Sequence, residues 1–148
     1  MLEADMIQTR GFHNILENGK IVGFQFCIRL TYYRGIFLSQ LRPQKVVVDG
    51  GIFPKELVTW NIKGIDFTVD EMVNNAEIQW CSTETATLKI YKPGGLTQGY
   101  HEISTGYKYS SSYMPPELQK SIDSEETDPF LEMMFGQLHS TRKLLLVW

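Results

Sequence analysis

Two cysteines are all that this chain of 148 residues contains, Cys27 and Cys81, far apart and outside any CxxC spacing. Neither a thiolate zinc site nor a framework of several disulfides is indicated. Each is expected to be a buried thiol, the common state of free cysteine, with a single bridge between the two left open. Basic runs are missing as well. The 14 Lys and Arg residues are scattered against 17 Asp and Glu, for a net charge of −3, whereas nucleic-acid binding needs a concentrated basic face to neutralise phosphates. No apolar run approaches the roughly 20 residues that span a bilayer. The opening Met1-Leu2-Glu3-Ala4-Asp5 lacks the basic and apolar regions of a secretory signal. The cytoplasm is the expected location.

Recognisable catalytic motifs are equally scarce. There is no GxSxG elbow, HExxH, GxxxxGK[ST] or GxGxxG loop. The three histidines, His13, His101 and His139, include no pair at the i,i+2 or i,i+4 spacing that aims two imidazoles at one metal. A cupin-type metal site would need a His-x-His pair, and Gly99-Tyr100-His101-Glu102 offers one histidine only. A surface or structural role is the expectation for His101. Glu125-Glu126 lies in a polar stretch that would not hold two carboxylates at a fixed separation, so these read as solvated charge.

What the chain does have is alternation. A hydrophobic fraction of 43% suffices for a packed core, and 148 residues fit one domain. Val22, Phe24, Phe26, Ile28 and Leu30 fall on one parity, with Gly23, Gln25 and Arg29 on the other, which predicts a half-buried strand over 21–30. Asn18-Gly19 tolerates positive φ and predicts a hairpin with 11–16 as the partner strand. Further strands are predicted over 45–49, 56–60, 62–69, 78–81 and 86–91. Asp70-Glu71 is expected to start one helical turn that ends near Asn74-Asn75. Pro93-Gly94-Gly95 is read as reversing the chain so that 100–109 pairs with 86–91 as a hairpin. The apolar run Leu144-Leu145-Leu146-Val147-Trp148 predicts a last strand covered on both faces.

The expected fold is mainly β, an antiparallel, jelly-roll-like sandwich with one or two short helices, forming a single domain over 1–148. A less regular Pro-rich, acidic and helical segment at about 111–138 interrupts it. Within that segment Asp128-Pro129 can start a helix that Gly136 ends, carrying Met133 and Phe135. After the strongest strand, Tyr32, Tyr33, Arg34 and Phe37 gather aromatic area around a guanidinium, the chemistry of an interface hot spot. The competing reading is an ordinary core edge whose polar tips reach water.

The ordered set Gly23-Phe24-Gln25-Phe26, Arg29-Leu30-x-Tyr32-Tyr33-Arg34-Gly35, Val48-Asp49-Gly50, Lys92-Pro93-Gly94-Gly95-Leu96, Gly99 and His101, and Tyr113-Met114-Pro115 resembles the small β subunits of bacterial C-glycoside deglycosidases. It covers most of 11–116. The resemblance implies a β-sandwich bound to a larger subunit, a TIM barrel similar to sugar-phosphate isomerases that holds a divalent metal, typically manganese. It implies cleavage of the carbon–carbon glycosidic bond of a flavonoid or other phenolic C-glycoside, already oxidised to the 3-oxo form. A C3 ketone acidifies the proton at C2, and elimination then expels the aglycone from C1. The resemblance assigns no catalytic residue, metal ligand or cofactor to this chain. Tyr32, Tyr33, Arg34, Phe37, Met133 and Phe135 are the candidate contacts to partner or substrate. The alternative is a stand-alone sandwich that binds carbohydrate or polyphenol through exposed aromatics.

Overall fold

The computed structural model describes residues 2–30, 35–109 and 137–147. Among them are strands β1 (His13–Glu17), β2 (Lys20–Arg29), β3 (Ile36–Phe37), β4 (Leu41–Pro43), β5 (Val46–Val48), β6 (Gly51–Phe53), β7 (Val58–Ile62), β8 (Ile65–Phe67), β9 (Gln79–Trp80), β10 (Thr85–Tyr91), β11 (Gly99–Tyr109) and β12 (Gln137–Leu146). One α-helix, α1 (Val69–Val73), follows β8. No described helix is long and apolar enough to cross a membrane. The predicted 128–136 helix, and with it nearly all of the 111–138 segment, lies outside the described residues.

Two antiparallel sheets form the sandwich, in the orders β1-β2-β10-β7-β8 and β12-β11-β5-β6, with β4 also on β11 and a small β3-β9 pair beside them. Alternation explains why they face each other. In the first sheet Phe26, Leu88, Trp60 and Phe67 are successive cross-strand partners, and all four are buried. The parity between them, Thr87, Asn61 and Asp66, faces outward as a polar row. Phe24 of β2 meets Phe53 of β6 edge to face with ring centroids 5.6 Å apart, which joins the two inner faces in one core. Burying a side chain of this size contributes about 1.5–3 kcal/mol, so a single row outweighs any one polar contact of the molecule.

Three tight hairpins set the register. Asn18-Gly19, Asp49-Gly50 and Lys63-Gly64 all have positive φ at both positions, as a two-residue type I′ turn requires. The first bears out the expectation drawn from its Asn-Gly pair. The third corrects one: 62–69 is not a single strand, because Lys63 at φ 57 turns the chain between β7 and β8. Lysine is not a residue that favours the left-handed region, so Gly64 stood as a turn signal without the Asn or Asp that precedes glycine in the other two hairpins. The helical turn is present, but its cap is Thr68 rather than Asp70. Thr68 Oγ1 accepts from the Glu71 N–H at 3.2 Å while Glu71 Oε1 accepts from the Thr68 N–H at 3.1 Å, a reciprocal capping box.

Two larger corrections concern pairing. β10 and β11 are not a hairpin, since β10 pairs with β2 and β7 whereas β11 pairs with β12, β5 and β4. The Pro93-Gly94-Gly95 turn folds back instead onto β2, where the Gly94 N–H donates to Ile21 O and the Lys92 N–H to Val22 O. Residues 92–98 then cross from one sheet to the other. The last strand is likewise not covered on both faces: Leu144 and Leu146 are buried, but Leu145 and Val147 are 50% and 62% exposed. It begins at Gln137, earlier than the sequence suggested, and it lies at the end of its sheet. A run of apolar residues hides the alternation that the strand nevertheless obeys.

Candidate functional site

The polar site with the most developed geometry sits where the crossover enters β11. His101, Ile103, Thr105, Tyr107 and Tyr109 share one parity, and all five are buried. An imidazole so placed must find its partners inside. Asp49, at the first position of the β5–β6 turn, supplies one: its Oδ2 lies 2.5 Å from His101 Nδ1, and its Oδ1 accepts the Glu102 N–H at 2.8 Å. A backbone bond and a ladder pair hold the turn in place, since the Asp49 N–H donates to Glu102 O and Val48 pairs with Ile103. On the far side of the ring, Nε2 lies 2.7 Å from Thr97 O. The Phe12 ring meets the imidazole edge-on at 6.3 Å.

Electrostatics follow from this arrangement. Burial by itself would lower the His101 pKa, but the Thr97 carbonyl and the Asp49 carboxylate outweigh it and hold the imidazole above its ordinary range. The hydrogen bond from His101, with help from the Glu102 N–H, depresses Asp49. Both ring nitrogens are engaged, which leaves neither lone pair to ligate a metal or to take a proton from a substrate. Among the described residues no group of three or more His, Cys, Asp or Glu side chains could hold a metal ion. The described residues therefore do not fit a metal centre.

At the other end of β11 the same inner face is aromatic. Trp60, Trp80 and Tyr107 meet edge to face at 5.6 and 5.4 Å, and Tyr109 continues the series. The polar tips are bonded to backbone: Trp80 Nε1–H donates to Glu84 O at 3.1 Å and the Tyr107 hydroxyl to Arg29 O at 3.1 Å. Phe37 lies beside this cluster on β3, opposite Gln79 of β9, and is 38% exposed. It is the one sequence-derived contact residue that the described structure contains. Tyr32, Tyr33, Arg34, Met133 and Phe135 all lie outside the described residues.

Two features were not anticipated. Arg142 stands opposite Ile103, so it shares the inner face, at the end of its sheet. Its guanidinium donates to Ile7 O at 2.7 Å and to Glu3 Oε1 at 2.9 Å, fastening the N-terminal segment beside the core. Hydrogen bonds from the Thr9 backbone and hydroxyl, then Arg142, pull the Glu3 pKa down to about 2. The second feature is an apolar pair on the outer face of the second sheet, where Tyr100 and Leu145 are cross-strand partners exposed by 69% and 50%. Only the β11–β12 register brings them together. A cleft of about 460 Å³ opens where Glu3, Gln8 and Arg10 approach Cys27 and Thr85. Cys27 and Cys81 are both free and partly buried, which closes the question of a bridge between them.

A family model for the C-glycoside deglycosidase beta subunit matches residues 2–113. A protein of Eubacterium cellulosolvens named C-glycoside deglycosidase beta subunit is 44% identical over 147 residues, which is 99% of this chain and 100% of that protein. One of Microbacterium trichothecenolyticum, with the same name, is 30% identical over 82 residues, covering 53% of this chain and 60% of its own. Near-complete coverage in both directions leaves no part of the sandwich unaccounted for by the first relative. The chain belongs to the C-glycoside deglycosidase beta subunit family.

Proposed function

We propose that this chain is the small subunit of a hetero-oligomeric lyase that cleaves the carbon–carbon glycosidic bond of 3-oxo-C-glycosides of flavonoids or other phenols. The observation that carries the reading is the end-to-end similarity to a protein named as a beta subunit, a name that implies a second kind of subunit. On this reading the divalent metal, manganese, and the catalytic groups belong to a TIM-barrel partner. The reaction is a β-elimination: a base removes the proton at C2, a C1=C2 double bond forms as the C1–aglycone bond breaks, and the aglycone carbon leaves with the bonding pair and is protonated. A 3-oxo group makes this feasible because it stabilises the negative charge that develops at C2.

The geometry of the chain fits a supporting role in that complex. His101, an obvious candidate for proton transfer, has both nitrogens committed to protein acceptors. Phe37 offers a partly exposed aromatic side chain next to Ile36, the cross-strand partner of Trp80, the kind of anchor on which interfaces concentrate their binding energy. Its proposed work is to stabilise the barrel, close its site and shape the aglycone pocket. Co-expression with the barrel partner tests this: the two should co-purify and release aglycone from a 3-oxo-C-glycoside, with neither doing so alone. A small chain that stays monomeric beside the barrel and leaves its lyase rate unchanged would overturn the reading.

A further inference from the structure

We infer that His101 is a buried imidazolium that latches the 92–98 crossover to the Asp49-Gly50 turn, and that the latch opens when the ring loses its proton. The inference rests on what the two nitrogens face. Nδ1 lies against a carboxylate oxygen of Asp49 and Nε2 against the carbonyl oxygen of Thr97, at 2.5 and 2.7 Å. Neither oxygen can donate a hydrogen bond. A neutral imidazole carries one N–H, so whichever tautomer formed would turn a lone pair toward an acceptor at hydrogen-bond distance. Only the doubly protonated ring satisfies both. The side chain is 8% exposed, so water has little room to relieve that clash.

The latch joins elements that the strand ladders do not. Thr97 belongs to the only described segment that runs from β10 in the first sheet to β11 in the second, and Asp49 closes the β5–β6 hairpin. Asp49 is already spoken for by the Glu102 N–H through its other oxygen. A proton on His101 thus ties three chain segments at one point: the crossover, the turn and the start of β11. The charged groups around it are Asp49 on the turn, Lys143 on β12, which lowers the Asp49 pKa from a distance, and Glu102 on β11 opposite Lys143. Phe12, whose ring meets the imidazole, and Leu144, its cross-strand partner on β12, are uncharged.

The sign follows from linkage. The folded-state pKa of His101 is raised above its ordinary value, so the stabilisation is present in full below the unfolded pKa of about 6.5. It is lost as pH rises through the higher folded value. Asp49 sets the opposite limit: its pKa is lowered, so its contribution is complete above the ordinary carboxylate value and fades as pH falls through the depressed one. Between these limits the crossover is held shut.

Histidine-ring NMR of the full-length chain tests the assignment. His13→Gln and His139→Gln identify the remaining ring signals by elimination, so the measurement does not depend on a variant at position 101. His101 should show two protonated ring nitrogens at pH 7 and titrate above the ordinary histidine value, and the Glu102 amide should exchange faster, by tenfold or more, once pH passes that titration and intrinsic exchange is corrected for. A His101 ring that is neutral at pH 7, or a corrected Glu102 exchange rate that ignores the titration, would overturn the latch. His101→Gln, if it folds, should abolish the pH step in exchange. Retention of that step in the variant would equally count against the proposal.

Discussion

The two ends of β11 fill one inner face of one strand in opposite ways. His101 and Tyr109 are eight residues apart, roughly 27 Å along an extended strand, and both are buried. At the first end the strand buries an imidazole and must surround it with Asp49, Thr97 and an aromatic edge. At the second it buries indole and phenol rings whose area stabilises without partners, and only their tips need a carbonyl. Polar burial fixes geometry at one point and couples it to protons. Aromatic burial stabilises through area and does so without a proton.

Substitutions should separate the ends. Trp80→Ala is expected to have the largest effect, a loss of about 3–5 kcal/mol in urea unfolding, because it opens a cavity between Trp60 and Tyr107. Trp80→Phe should cost more than Trp60→Phe. The first orphans Glu84 O, whereas Trp60 Nε1 has no hydrogen-bond partner among the described residues to lose. Phe37→Asp should weaken association with the proposed barrel partner by about 2 kcal/mol, if measured as a dissociation constant, and hardly change the melting temperature of the chain itself. That outcome would place the working surface at the aromatic end. Asp49→Asn should lower the melting temperature near neutrality by a smaller amount, and its deficit should shrink as pH falls through the depressed pKa of Asp49. Thr68→Ala, which leaves both the aromatic rings and His101 in place, should cost about 1 kcal/mol through the lost cap of α1.

Much of the fold was legible because it is local. The 21–30 alternation became β2 almost to the residue, and its partner strand followed through Asn18-Gly19. Gly23 is the exception that pairing explains: a Cβ there would overlap the Ile90 carbonyl oxygen of β10. The candidate site was less legible. Phe37 came from composition alone, and His101 was expected to take a surface or structural role, but Asp49 is not near it in any sense that spacing reveals, and nothing marked Thr97, four residues before it, as its second partner. Arg142 looked like one more scattered charge until the β12 register turned it toward Ile7 and Glu3.

By itself, then, the sequence determined that this protein is an antiparallel β-sandwich, where most of its strands begin, and that the chain resembles a deglycosidase small subunit. Alternation and left-handed turn residues act within a few positions, so they can be read along the chain. Only the tertiary structure decided that β10 and β11 belong to different sheets, that Leu145 meets Tyr100 in the open, and that His101 closes on Asp49 across 52 residues of chain. Each of those depends on which strands meet. Strand meeting is decided by the whole core at once, since every buried row must be completed by residues far away in sequence.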